Sequence, residues 1–134
     1  MRCLLDSHSF LWSIFEPVKL SKLARETIRD RENEVAVSVV TFWEISLKYA
    51  IGKLDLVNVK PEDLPSVTEI EETGMDILQL TPQEAASFHN LPKIAHKDPF
   101  DRLIIWQAIQ QKMTLISKDK EFKDYGQAGL KILW

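Results

Sequence analysis

Short apolar runs alternate along this chain with amphipathic stretches, which predicts strands separated by helices. Arg2–Asp6 is an apolar run closed by an aspartate and reads as a short buried strand. Ser7–Phe15 reads as a short helix ended by Pro17, because Glu16 before a proline is pushed away from helical angles. Ser21 is placed to cap a second helix to about Asp30, with Leu20, Leu23, Ala24, Thr27 and Ile28 inward. The other face of that helix carries Lys22, Arg25 and Arg29, a solvated face or a surface for phosphate or a partner. Glu34–Val40 contains the second strand, apolar and β-branched. Thr41–Ile51 is a helix with Trp43, Leu47 and Ala50/Ile51 on one side, ended by Gly52. A loop to Pro61 leads to a helix from Asp63 or Leu64 to Thr73, stopped by Gly74. Met75–Leu80 is the third strand.

Thr81-Pro-Gln-Glu84 is a capping box with proline at the first helical position, and that helix ends near His89. Asp98-Pro-Phe-Asp101 opens the longest helix, to about Lys112. It is apolar nearly all round (Phe100, Leu103, Ile104, Ile105, Trp106, Ala108, Ile109), which predicts burial on several sides or a subunit interface. Met113–Ser117 is the fourth strand, a short turn containing Phe122 follows, and Leu130–Trp134 is the last strand. Strands alternating with helices imply an α/β fold, a parallel sheet with helices on both faces. No linker or repeat divides residues 1–134, so a single domain is expected.

With 134 residues, 45% of them hydrophobic, the chain can bury a core without disulfides or structural metal. Its single cysteine, Cys3, lies in the first apolar run and reads as a small core residue. His8, His89 and His96 show no zinc-ligand spacing. No apolar run is long enough to span a bilayer and no signal peptide precedes Asp6, so a cytoplasmic location without membrane association is expected. A net charge of −3 argues against a sequence-blind polyanion binder. It does not exclude RNA, because divalent cations would neutralise a cluster of acids that itself outweighs the net charge.

Five acids form that cluster: Asp6, Glu44, Asp98, Asp101 and Asp119. Each falls just after a predicted strand or in the first turns of a predicted helix. In an open parallel sheet such places converge outside the carboxyl ends of the strands. Clustered carboxylates bind hard divalent cations and can handle phosphate. Every one of them also has a plainer reading. Asp6 and Asp98 suit helix caps, and Asp119 with Ser117 suits a turn. Glu44 stands four residues before Lys48, a pair worth about 0.3–0.5 kcal/mol on a helix surface. Asp98 and Asp101, three apart on one face and followed by Arg102, are not both explained as caps. His8 and His96 read as structural. The joint placement of the acids is what points to chemistry.

Several segments closely resemble PIN-domain proteins of the VapC toxin type. They are Leu4-Leu-Asp-Ser-His8 with Leu11-Trp12; Ser38-Val-Val-Thr-Phe-Trp-Glu-Ile-Ser46 with Lys48 and Gly52-Lys-Leu54; Leu91-Pro92; His96-Lys-Asp-Pro-Phe-Asp-Arg-Leu-Ile-Ile105 with Gln107-Ala108; and Leu115-Ile-Ser-Lys-Asp-Lys-Glu-Phe122. The likeness runs from about Met1 to the C-terminus. It implies a three-layer α/β/α sandwich with strand order 3-2-1-4-5, and an endoribonuclease that uses Mg²⁺ or Mn²⁺. It implies a toxin held by a cognate antitoxin, with RNA as substrate and a homodimer or higher toxin–antitoxin assembly. The family's acidic positions fall on Asp6, Glu44, Asp101 and Asp119. Asp98 matches an additional acid and Ser117 a hydroxyl near the fourth carboxylate. Arg102 and nearby lysines are expected at phosphate or at an acidic part of the antitoxin. Ser7 and Ser117 stand where threonine is common, and Trp106 where a small residue is frequent.

Two other classes stay open on the residues alone. Aspartates at strand ends also suit a metal-dependent phosphatase or phosphoacceptor, and clustered acids also suit a catalytically silent module that binds a partner's arginine.

Overall fold

The computed structural model describes residues 1–69, 73–94 and 98–134. Five parallel strands form one sheet in the order β3-β2-β1-β4-β5. They are β1 (Arg2–Leu5), β2 (Glu34–Ser38), β3 (Met75–Leu78), β4 (Thr114–Ile116) and β5 (Lys131–Leu133). The central strands are nearly all apolar because both of their faces are covered. Their side chains alternate between two cores. Cys3, Leu5, Val35, Val37 and Ile116 pack with α1 (Ser7–Phe15), α2 (Lys22–Arg29) and α4 (Leu64–Thr68). Leu4, Ala36 and Leu115 pack under α6 (Pro99–Gln111) and the 3₁₀ segment Lys120–Ala128, and α5 (Pro82–Ser87) lies against α6. The helix α3 (Val39–Ala50) lies across the edge and sends Val40 to one core and Ile45 to the other. The result is the expected three-layer sandwich.

Several boundaries move for identifiable reasons. α3 begins at Val39 rather than Thr41, because the Ser38 hydroxyl accepts from Val40 N at 3.0 Å and ends β2 there. α4 stops at Thr68 rather than Thr73, and the Thr73 hydroxyl donates to Thr68 O at 2.5 Å across that end. The turn expected around Phe122 is a nine-residue 3₁₀ segment with Phe122 and Tyr125 buried. Leu23 is 52% exposed instead of inward. α2 packs through Ala24, Thr27 and Ile28, and one residue of helix rotation carries position 23 off that stripe.

The capping box forms as expected. Thr81 N donates to Glu84 Oε1 and Glu84 N to Thr81 Oγ1, both at 3.0 Å. α6 is buried along Ile104–Ala108, which answers the excess of apolar residues in its sequence within this one chain. Its one buried amide, Gln107, accepts from Ser38 Oγ at 2.5 Å and donates to Gln79 O at 3.3 Å. Trp106 packs in the same core and donates to Ser87 Oγ at 3.2 Å.

Ser38 thus caps one helix and satisfies the amide of another. Ser38→Ala is expected to cost roughly 1–3 kcal/mol, the sum of a lost cap and an unsatisfied buried amide. Urea denaturation measures it, and an unchanged midpoint would show that Gln107 finds another partner.

Candidate metal centre

Register levels the carboxyl ends of the three central strands: Leu5 pairs with Val37 on β2 and with Ile116 on β4. Asp6, Ser38 and Ser117 therefore leave the sheet side by side, and Asp6 N still donates to Ile116 O at 3.2 Å. Each begins a turn into the next element. Asp6 caps α1, its Oδ1 accepting from Ser9 N at 2.8 Å. Ser38 launches α3, which places Glu44 in the second turn. Asp98 caps α6, its Oδ1 accepting from Phe100 N at 2.9 Å and Asp101 N at 3.1 Å. Asp119 caps the 3₁₀ segment through Glu121 N at 2.9 Å.

α3 and α6 bring three of the five acids together. One carboxylate oxygen from each of Glu44, Asp98 and Asp101 lies within 4.8 Å of the other two. Asp6 and Asp119 stand outside that trio but are tied to each other through Ser117. The Ser117 side chain hydrogen-bonds to Asp6, and its hydroxyl accepts from Asp119 N at 3.0 Å. Ser7, next to Asp6, donates to Glu44 Oε1 at 2.6 Å and lies 3.4 Å from Thr41 Oγ1. Two serine hydroxyls thus lock the acid-bearing turns to one another.

The plainer readings of Asp6, Asp98 and Asp119 are correct as far as they go, since all three cap helices. The pair Glu44–Lys48 also forms, at 2.5 Å, but not on a surface: Glu44 is 3% exposed. Burial alone would lower the Lys48 ammonium. The hydrogen bond to Glu44 and the charges of Glu44, Asp98 and Asp101 outweigh it and hold its pKa above the ordinary lysine value. Lys48 is therefore the cation of this cluster, a role that its spacing from Glu44 signals but does not distinguish from a solvent pair. The part of Ser7 is signalled only by its place after Asp6 and by a hydroxyl residue standing where threonine is common. Burial pushes the Asp6 carboxyl above the usual carboxylate range, against the opposing hydrogen bonds of Ser117 and Ser9 and the charge of His8.

Arg102 is taken up by the loop beside the site. Its Nη2 donates to Leu91 O at 3.2 Å and Pro92 O at 3.1 Å, and its guanidinium lies 5.1 Å from the centre of the Phe88 ring. His8 is exposed and packs against Trp12, and His96 lies outside the described residues. The rim is apolar. Trp43, beside Glu44, is 62% exposed and meets Phe100 edge to face at 4.9 Å. The donor trio offers oxygen alone, which fits a hard divalent cation such as Mg²⁺ or Mn²⁺ and not a thiolate-seeking metal.

The PIN domain family matches residues 3–128 of the chain. Ribonuclease VapC22 of Mycobacterium tuberculosis is 28% identical over 124 residues, covering 91% of this chain and 90% of that relative. Among solved structures, the chain is similar to VapBC2 of Rickettsia felis bound to a promoter DNA fragment, with TM-score 0.68, 18% identity and coverage of 99% and 98%. It is also similar to FitAcB of Neisseria gonorrhoeae, with TM-score 0.63, 22% identity and coverage of 98% and 96%. No helix among the described residues is long and apolar enough to cross a membrane.

The raised pKa of Asp6 carries a sign for stability. The folded state holds that proton more tightly than the unfolded chain does. The resulting contribution is full below the ordinary aspartate pKa, about 3.9, and is lost as pH rises through the folded value. Without metal, Asp6→Asn keeps the cap and removes the buried charge. It is expected to raise the urea midpoint at pH 7 and to lose that advantage in acid; a lower midpoint at pH 7 would contradict this balance.

Proposed function

Because the chain belongs to the PIN domain family, we propose that it is a metal-dependent endoribonuclease and the toxin of a toxin–antitoxin pair. The observation that carries the reading is the convergence of Glu44, Asp98 and Asp101 at the carboxyl edge of the sheet, with Asp6 and Asp119 on the neighbouring turns. Asp6, Glu44, Asp101 and Asp119 would hold one or two Mg²⁺ or Mn²⁺ ions, with Asp98 either ligating or orienting Asp101 through its cap. When bound, such ions activate water and stabilise charge at a phosphodiester.

The chain's own residues prepare that chemistry. Ser7 fixes one oxygen of Glu44 and Lys48 the other, so its carboxylate has one orientation. Ser117 favours the Asp6 carboxylate and accepts from Asp119 N, which ties the two turns together. The fixed carboxylates lose little entropy on taking a cation. The 3₁₀ segment after Asp119 carries the exposed cations Lys120 and Lys123, which would meet phosphate. Arg102 supports the loop at Leu91 and Pro92 rather than the cluster itself, so its part is to hold the mouth of the site.

A protein partner suits the rim. Trp43 and Leu47 on α3 and its C-cap Ile51 recur at helical spacing and are all exposed, more apolar surface than a helix facing water needs. We assign this face to the antitoxin, the partner implied by similarity to the VapBC family of toxin–antitoxin systems. A phosphoacceptor is not favoured: the acids are spread over α3 and α6 instead of gathering around a free aspartate, and Asp6 is occupied by Ser9 and Ser117.

Purified, antitoxin-free protein incubated with total RNA tests the reading. Discrete fragments are expected with Mg²⁺ or Mn²⁺ and none with EDTA. Asp6→Asn and Glu44→Gln are expected to lose more than the roughly 10–100-fold that removing a group merely supporting a ligand costs, with circular dichroism unchanged. Metal-independent cleavage, or full activity in both variants, would sink the mechanism.

A further inference from the structure

Three of the five arginines in this chain, Arg25, Arg29 and Arg31, line one pocket of about 490 Å³. The other two are engaged elsewhere: Arg2 with Glu34 and the Gln111 carbonyl, Arg102 with its loop. Among the described residues, none of the three pocket arginines has an ion-pair partner. The pocket's one described carboxylate, Asp30, accepts from Glu32 N at 3.0 Å in a turn of its own.

The pocket lies at the opposite end of the sheet from the acids. Arg31 and Asn33 precede β2, Met75 begins β3, and Ile14 sits at the end of α1 that runs back from Asp6. Its volume falls in the range of about 300–1,000 Å³ usual for ligand sites. A guanidinium presents a planar fork of donors that suits a tetrahedral oxyanion. Three arginines lining one pocket offer more donors than the two oxygens of a carboxylate take up.

The electrostatics call for such a site. A chain of net charge −3 with its cutting edge lined by carboxylates repels a polyanion. Away from the metal site and Lys120/Lys123, phosphate affinity needs another local concentration of cations.

We propose that the pocket formed by Arg25, Arg29 and Arg31 binds phosphate groups, supplied by the RNA backbone outside the cleavage site. In its RNA form the proposal rests on the ribonuclease reading. Glu71 and Glu72, close in sequence to Thr73 on the pocket wall, lie outside the described residues.

Binding in EDTA separates the pocket proposal from the ribonuclease reading. A labelled single-stranded RNA is titrated by fluorescence anisotropy at several salt concentrations, with wild type, the triple variant Arg25→Gln/Arg29→Gln/Arg31→Gln and the matching triple lysine variant. Phosphate contacts on single strands each contribute about 0.7 to the slope of log K against log salt. The triple glutamine variant is expected to lose up to about 2 of that slope, and the lysine variant to keep most of it.

Inorganic phosphate and adenosine 5′-monophosphate are titrated by NMR as the other source. Shifts at the pocket that vanish in the glutamine variant, with RNA affinity unchanged, would support the phosphate site and assign it to a free phosphate. No effect on RNA, phosphate or nucleotide would overturn the proposal, as would a pocket that takes only an acidic peptide such as tetraglutamate. Cleavage by wild type is scored separately. Its absence would count against the nuclease reading, whereas cleavage with unaltered RNA binding in the glutamine variant, and no phosphate or nucleotide binding at the pocket, would count against the pocket alone.

Discussion

Like charges held within a few ångströms are the constraint on which this molecule turns. Glu44, Asp98 and Asp101 approach to within 4.8 Å. At an effective dielectric of about 20, two unit charges at that separation repel by roughly 3 kcal/mol. Nothing about the acids themselves would hold them there. The sheet does, by levelling the ends of β1, β2 and β4, and the helix caps do, by fixing where α1, α3 and α6 begin. Part of the repulsion is offset within the chain by Lys48, whose ammonium bonds Glu44 and is held protonated by all three acids. A divalent cation would offset more.

The same residues therefore carry structure and chemistry at once. Asp98 is a helix cap and one corner of the acidic trio. Asp6 is a helix cap whose burial raises its pKa, so the fold bears an electrostatic cost there. Ser7 and Ser117 convert loose proximity into fixed orientation. Such conflicts between local stability and charge placement are usual at functional sites. Here they gather at the carboxyl edge of a parallel sheet, where ligands of open α/β folds bind.

Much of the fold is legible from the chain because its signals are local. The capping box at Thr81–Glu84, the Asp98-Pro99 start and the short apolar strands each specify an element without help from the rest. The alternation of strand and helix then implies parallel pairing. Strand order came from resemblance, since no local signal sets it. The acids were legible as a set for the same reason: each follows a strand end or helix start. What escaped was set by tertiary contact. Leu23 looks inward on a helical wheel and turns out because Ala24 and Thr27 take the packed stripe. Gln107 reads as an interruption of an apolar helix until Ser38 meets it from another element. The Glu44–Lys48 spacing is identical for an exposed pair and for a buried one, and the packing of α3 against α1 and α6 decides.

The central claim is that this carboxylate edge holds divalent metal, and direct binding tests it without reference to any substrate. Isothermal titration of Mn²⁺ into the purified protein, wild type against Glu44→Gln and Asp101→Asn, measures it. The account predicts saturable binding in the wild type, with a rise in thermal stability on metal addition, and loss of both in each variant. Equal Mn²⁺ affinity in the wild type and both variants would contradict it, and so would a folded wild type that binds none.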